Sequence, residues 1–324
     1  MARVLSLLVG IVVCIAAFSA LADNSRNEAW KAAFQPLPKL AESEANPISP
    51  AKVALGKSLY TDKRLSLDND LSCNSCHRLD SFGVDNQPTS PGHKGQRGDR
   101  NSPSSFNAAL HVAQFWDGRA ATVETQALGP ILNPKEMAMP SEAEVLKRLK
   151  ADPKTVEAFK VAFPGQSDPV TYANVGNAIG AFERTLITPS RFDRFLNGDA
   201  KALTLTEKKG AQLFVETGCT ACHNGATIGG LSFQKLGLVK PYPTKDVGRG
   251  NVTKQPADAM VFKVPSLRNV DKTGPYFHDG SVKGLSEAVS TMAEYQLGKN
   301  LSPEQVADIV AFLKTLTAET PPKG

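Results

Sequence analysis

The chain has 324 residues, 41% of them hydrophobic, with 37 Lys and Arg against 32 Asp and Glu. A chain of that length accommodates two ordinary domains, each burying its own core. The formal charge of +5 is spread without any basic tract, which argues against a nucleic-acid-binding protein.

Residues 1–22 read as an export signal. Arg3 supplies the positive start, Leu5 to Phe18 is mostly apolar, and Ala20-Leu21-Ala22 is a small-residue cleavage pattern that leaves Asp23 as the new N-terminus. The apolar stretch is too short for a membrane span, and Cys14 leaves with it. No other long apolar run follows, so no stable membrane insertion is expected.

A short helical pattern, Gly56-Lys-Ser-Leu59-Tyr60, and then Asp62 to Asp70 lead to Cys73-Asn-Ser-Cys76-His77. C-x-x-C-H is the attachment signal for a c-type haem: each thiol adds across one vinyl group, and the adjacent His reaches the iron. A second copy, Cys219-Thr-Ala-Cys222-His223, follows Gly210-Ala-Gln-Leu213-Phe214. The two copies use every cysteine left in the mature chain, so two covalent haems are expected, with His77 and His223 as proximal ligands. A disulfide pair needs no following His, and a structural zinc needs four ligands around one ion. Four haem propionates bring the holoprotein near neutrality. Covalent haem together with export points to the periplasm.

Two segments rich in Gly, Pro and Asn, 83–104 and 224–258, read as long loops, which around haem can supply a sixth iron ligand. His93 sits in the first, in Pro91-Gly92-His93-Lys94-Gly95, able to swing on and off an iron; a solvated loop His is the plainer alternative. Ser141-Glu-Ala-Glu144 is a capping box opening a helical run to about Phe163. Ala178-Ile-Gly-Ala-Phe-Glu-Arg-Thr-Leu186 is echoed by Asp308-Ile-Val-Ala-Phe-Leu-Lys-Thr-Leu316, each after one haem motif. Met292 precedes the closing helix, where a cytochrome c places its methionine ligand; a core methionine is the alternative. Ser302-Pro303-Glu304-Gln305 starts that helix, and Val306, Ile309, Val310 and Leu313 give its apolar stripe. Strand signals are few and short.

The expected fold is mainly α: two cytochrome c-like domains with long loops, each around one covalently bound haem. They span 23–188 and 189–324 and join near Thr188-Pro189-Ser190, with the last helix a candidate to pack back on the first domain.

Several motifs carry a family resemblance. Ala113-Gln-Phe-Trp116-Asp-Gly-Arg119-Ala, Gln126-Ala-Leu-Gly-Pro130 with Asn133-Pro-Lys-Glu136-Met137, Phe262-Lys-Val-Pro-Ser-Leu-Arg-Asn269 and Pro275-Tyr-Phe-His-Asp-Gly280 run through the mature chain in family order. The chain is similar to the bacterial di-haem cytochrome c peroxidases. The resemblance implies that the haem on His77 is the peroxidatic, low-potential centre, with His93 as its displaceable distal ligand. The haem on His223 receives electrons, with Met292 as distal ligand; Met/His ligation raises a haem potential, which suits that task. Trp116 lies between the haems on the electron route, and Gln126 and Glu136 stand over the peroxidatic iron.

Glu136 makes chemical sense there, because cleaving peroxide moves a proton between its oxygens and a positioned carboxyl can carry it. A calcium between the domains is also implied, held by the Asn101 side chain and the carbonyls of Thr273 and Pro275 with waters. His111 has no catalytic role and His278 holds its loop near the interface. The implied partners are hydrogen peroxide and a small c-type cytochrome or cupredoxin donor; relatives are commonly homodimers. Two other readings remain: a related enzyme that oxidises residues of a partner protein, which carries Tyr where this chain has Met292, and a plain electron carrier, which has no use for Gln126 and Glu136.

Overall fold

The computed structural model describes residues 28–319, so the expected export signal lies outside the described residues. Helices dominate. The first unit holds α1 (Pro50–Tyr60), the single turn α2 (Cys73–Cys76), α3 (Val123–Leu132), α4 (Glu142–Lys150), α5 (Pro153–Ala162) and α6 (Tyr172–Glu183). The second holds α7 (Arg191–Leu196), α8 (Leu205–Thr217), α9 (Gly250–Thr253), α10 (Leu285–Leu297) and α11 (Pro303–Lys314). Two short strands, β1 (Phe233–Lys235) and β2 (Val261–Lys263), pair antiparallel with Gln234 opposite Phe262. The 224–258 segment is therefore less bare than its composition suggests, since it contains β1 and α9.

Apolar side chains gather into two cores. Leu55, Tyr60, Ile131, Leu149, Ile179 and Phe182 belong to one; Phe192, Phe195, Phe214, Ile309, Phe312 and Leu316 belong to the other. Residues 28–34, expected in the first domain, join the second core instead. Trp30 stacks on Phe195 at 5.6 Å and Phe34 meets Phe192 edge-on at 5.3 Å, the offset and T-shaped geometries that aromatic quadrupoles favour. The last helix likewise stays in its own unit, where α11 packs on α8 rather than back on the first.

The run expected from Ser141 to Phe163 is two helices. Pro153 has no N–H for the Leu149 carbonyl, and it holds Asp152 in an extended conformation at φ −106° and ψ 109°. Asp152 then caps the new helix by accepting from Lys154 N at 3.0 Å. The capping box at the last helix forms as read: Ser302 Oγ accepts from Gln305 N, and Gln305 Oε1 accepts from Ser302 N.

The sequence echoes are one helix crossing built twice. A Cβ on Gly56 would lie 1.9 Å from the Ala178 carbonyl oxygen, and a Cβ on Gly210 would lie 1.9 Å from that of Asp308. Glycine is needed at both positions because backbone meets backbone. Each echo thus records which two helices cross beside a haem motif. The join is no loose linker either. Thr188 is fully buried, and its hydroxyl accepts from Asn107 Nδ2 at 2.7 Å and from Asn269 Nδ2 at 2.9 Å, one from each unit.

Candidate haem and peroxide site

Each C-x-x-C-H motif ends a short helical turn, and each proximal imidazole is aimed by the backbone. His77 Nδ1 lies 2.9 Å from Pro103 O, and His223 Nδ1 lies 3.3 Å from Ile228 O. A carbonyl at Nδ1 selects the tautomer that leaves the Nε2 lone pair for a metal. Burial pushes both rings below the usual histidine range, His223 to about 4, so both stay neutral. Tyr60 O–H donates to His77 O at 2.7 Å and fixes the turn from α1. No disulfide joins the four cysteines of the two motifs. Burial, then the Glu183 charge, pushes the Cys73 thiol up to about 12, which is unlike a redox-active pair.

Beside His223 lies a mostly apolar cavity of about 260 Å³ whose wall includes Cys219, Cys222, His223, Met292 and Leu313. Met292, on α10, and His223 therefore face one space. The same wall tests whether a haem fits. Lys263 is 5% exposed, and among the described residues its ammonium meets only the Nδ1 of His111, at 3.1 Å, with no carboxylate within ion-pair distance. His111 Nε2 and His278 Nδ1 are buried without partners among the described residues. A buried ammonium beside unpaired ring nitrogens calls for an anion. The porphyrin carries carboxylates, so this donor set suits it, and Lys263 with His111 would receive them.

In the first unit three loops, those of Leu67, His93 and Glu136, are bound to one another. His93 N donates to Glu136 O at 2.7 Å, and Leu67 N donates to Met137 O at 2.9 Å. A Cβ on Gly92 would stand 2.0 Å from Lys135 O, so the His93 loop lies flat on the Glu136 loop. His93 is buried, with Nδ1 3.4 Å from Asp68 Oδ2. Glu136 is partly buried and accepts from Asn133 Nδ2 at 2.9 Å; burial raises its carboxyl above the usual range against the Arg119 charge and that hydrogen bond. Gln126 stands half-buried on α3, which runs straight into this turn: Met137 N donates to Pro130 O. Pro130 lies inside α3 and cannot donate to the Gln126 carbonyl, and the helix stops two residues later at Leu132.

Between the units, Trp116 Nε1 donates to Asn101 O at 2.9 Å, and its ring meets that of His278 edge-on at 6.5 Å. Asn101 N donates to His278 O, and its side-chain Nδ2 is held by Gln87 O at 2.8 Å. Asn101, Thr273 and Pro275 line the same large cavity. No cluster of three His, Cys, Asp or Glu is present among the described residues, so a cation held there would rest on neutral oxygens.

Residues 50–201 match the model of the di-haem cytochrome c peroxidases, and 207–317 match that of cytochrome c. A cytochrome c551 peroxidase of Pseudomonas aeruginosa is 46% identical over 98% of this chain and 92% of its own. The chain belongs to the di-haem cytochrome c peroxidase family. A second cytochrome c551 peroxidase, of Nitrosomonas europaea, is 50% identical over 82% of this chain and 80% of its own. Among solved structures, a MauG-like protein associated with microbial copper homeostasis superposes with a TM-score of 0.79 at 32% identity, covering 88% of this chain and 94% of that one. The two C-x-x-C-H motifs of this peroxidase accordingly carry two c-type haems.

The peroxidase contains a further repeat that the sequence analysis above did not find. Pro103-Ser-Ser-Phe-Asn107 matches Pro265-Ser-Leu-Arg-Asn269, and at the same spacing Phe115-Trp-Asp-Gly118 matches Phe277-His-Asp-Gly280. Asn107 and Asn269 have positive φ, 61° and 62°; so do Phe115 and Phe277, 65° and 70°. Gln114 bridges Ala120 as Tyr276 bridges Val282. Trp116 and His278 are thus equivalent residues that meet ring to ring. The shared P-S-x-x-N and F-x-D-G words, at one constant offset, were the available signal.

Proposed function

We propose that the enzyme reduces hydrogen peroxide in the periplasm, H2O2 + 2 e⁻ + 2 H⁺ → 2 H2O, with electrons delivered singly by a small c-type cytochrome or a cupredoxin. The observation that carries this reading is the pairing of the His93 loop with a partly buried Glu136 through a backbone hydrogen bond of 2.7 Å. The iron on His77 supplies the redox chemistry at the peroxide. Glu136 would take a proton from one oxygen of the peroxide and hand it to the other, and burial raises its carboxyl towards neutral working pH. Asn133 orients that carboxyl. Gln126 offers an uncharged hydrogen bond to peroxide or water.

His93 would hold the iron of the first haem in the resting enzyme. Its departure frees the site, and Lys94 and Gly95, both at positive φ, shape the loop that moves. Met292 and His223, which line one cavity, would together hold the iron of the second, electron-receiving haem, and Trp116 would carry electrons between the two. Calcium held by Asn101, Thr273 and Pro275 ties the loops at the interface, and two chains associate as a homodimer. A reduced small cytochrome c mixed with the holoprotein, peroxide and calcium tests the reading. Fast oxidation only after one-electron reduction supports His93 gating, and fast oxidation from both states removes the gate. No oxidation from either, with both haems bound, refutes the peroxidase.

A further inference from the structure

The duplication sets a register in which every residue of 178–186 has a counterpart in 308–316. The match is structural as well. Thr185 Oγ1 donates to Phe182 O and Thr315 Oγ1 to Phe312 O, both at 2.7 Å. Leu186 O accepts from Asn107 N, and Leu316 O accepts from Asn269 N. In this register Glu183 stands where the second unit has Leu313. Leu313 is in the wall of the cavity that contains Cys219, Cys222 and His223. By the same geometry Glu183 looks onto the haem attached at Cys73 and Cys76.

Glu183 is 6% exposed, and its carboxyl has no hydrogen-bond donor among the described residues. The polar groups around it are Tyr60 on α1, Cys73 on α2, Glu124 on α3 and the adjoining Arg184. Only the Arg184 charge favours its ionised form, and that effect is the smallest of the three acting on it. Arg184 is spent on Glu124, with Nε and Nη2 at 2.7 and 3.1 Å from its two oxygens, and Tyr60 O–H is turned to His77 O and Ser105. A buried carboxyl with no hydrogen-bond donor and no cation paired to it is pushed towards its neutral form. Burial, followed by the Glu124 charge, pushes Glu183 up to about 8.

We propose that Glu183 is the proton partner of the first haem: its carboxylate binds one solvent proton when the iron on His77 gains an electron, and releases it when that electron leaves. A ferric centre carries one more positive charge than a ferrous one, and in a site of low dielectric that charge favours the nearby carboxylate. Coupling of this kind is reciprocal, so proton concentration must in turn move the haem potential. The second unit, with leucine at the same place, has no such partner. The inference needs only a haem at Cys73 and Cys76; it does not depend on which haem meets peroxide or on any donor.

The test is spectroelectrochemical titration of both haems in the holoprotein across about pH 6 to 10, the range that brackets a raised carboxyl. In the wild type the first midpoint should fall with pH, approaching about 59 mV per tenfold change in proton concentration. Glu183→Gln should flatten that slope, Glu183→Asp should keep it, and the second haem should behave alike in all three. A pH-independent first haem in the wild type overturns the proposal, as does an equal slope in Glu183→Gln. Should the glutamine variant fail to take up haem, Glu183→Leu copies the second unit and carries the same expectation. Wild-type protein alone also decides: a redox-difference infrared spectrum must show the carbonyl band of a carboxylic acid growing as the first haem is reduced, and its absence overturns the assignment.

Discussion

Replacing Gly56 by alanine tests the duplicated crossing. The new Cβ would stand 1.9 Å from Ala178 O and 2.9 Å from Phe182 Cβ, where ordinary contact begins near 3.4 Å. The closest partner is a backbone atom, so no rotamer change relieves it and α1 must move away from α6 by about 1.5 Å, the difference between 3.4 and 1.9 Å. Overpacking of this kind costs about 1–3 kcal/mol, and a backbone clash belongs at the upper end. Alanine returns up to about 1 kcal/mol of helix propensity. The net loss is about 2 kcal/mol, which for a unit of this size lowers the melting temperature by roughly 4–8 °C. Gly210→Ala repeats the experiment against Asp308 O in the second core, and because the two crossings share no partner the double variant should show both losses. Thermal unfolding of the holoproteins followed by circular dichroism reads the effect. Haem absorbance reads its local consequence, since α1 carries the Tyr60 hydroxyl bonded to His77 O. A melting temperature unchanged in both single variants would refute the close-crossing argument.

Glu136→Gln should lower peroxide turnover by about 10²- to 10⁴-fold, the usual contribution of a positioned proton carrier, while a haem stain still counts two haems; near-normal turnover sinks its assigned role. His93→Gly should turn over at once from the fully oxidised state, and stopped-flow traces that keep the wild-type lag count against gating. Asp193→Asn strips the partner from Arg268, whose side chain is fully buried with an N–O distance of 2.6 Å; the cost should be about 3–5 kcal/mol in denaturant unfolding, and a loss within experimental scatter contradicts it. Burial raises Glu183 from 4.5 to about 8, so the folded chain keeps a proton that the unfolded chain has already shed. Its stabilising contribution is whole below about pH 4.5 and is lost as pH rises to about 8, and Glu183→Gln should flatten the pH–stability curve over that window only.

Features that rest on local chemistry were legible from residues alone. The haem motifs, the Ser302 box and the stripe of the last helix depend on neighbours a few positions away, and they form as read. The break at Asp152-Pro153 was equally local, but the apolar period continues across it and hid a proline that starts a new helix. What could not be read is set by long-range packing. Nothing near Trp30 says that its ring will stack on Phe195, more than a hundred residues on. Lys263 looks like any lysine until the fold closes His111 over it. Glu136 and His93 were named from a resemblance, and their backbone bond depends on Gly92 lying against Lys135.

A frame built twice makes like sites, so any difference between the haems must come from the positions where the copies disagree. Three such positions lie close to the centres. Glu183 replaces the apolar Leu313 and puts an ionisable group beside one haem only. Arg268, paired with Asp193, occupies the place of Phe106 and locks its loop to α7 by charge where the first unit uses an apolar ring. Trp116 and His278 are equivalent yet chemically distinct: the indole N–H is held by Asn101 O, whereas His278 Nε2 lies 3.0 Å from the Thr244 hydroxyl. Because these two rings touch across the interface, the junction between the haems is itself asymmetric, with a readily oxidised aromatic on one side and a titratable ring on the other. A symmetric junction would serve two equal centres; unequal residues at that contact are what the proposed division of labour between an electron-receiving second haem and a peroxidatic first haem requires.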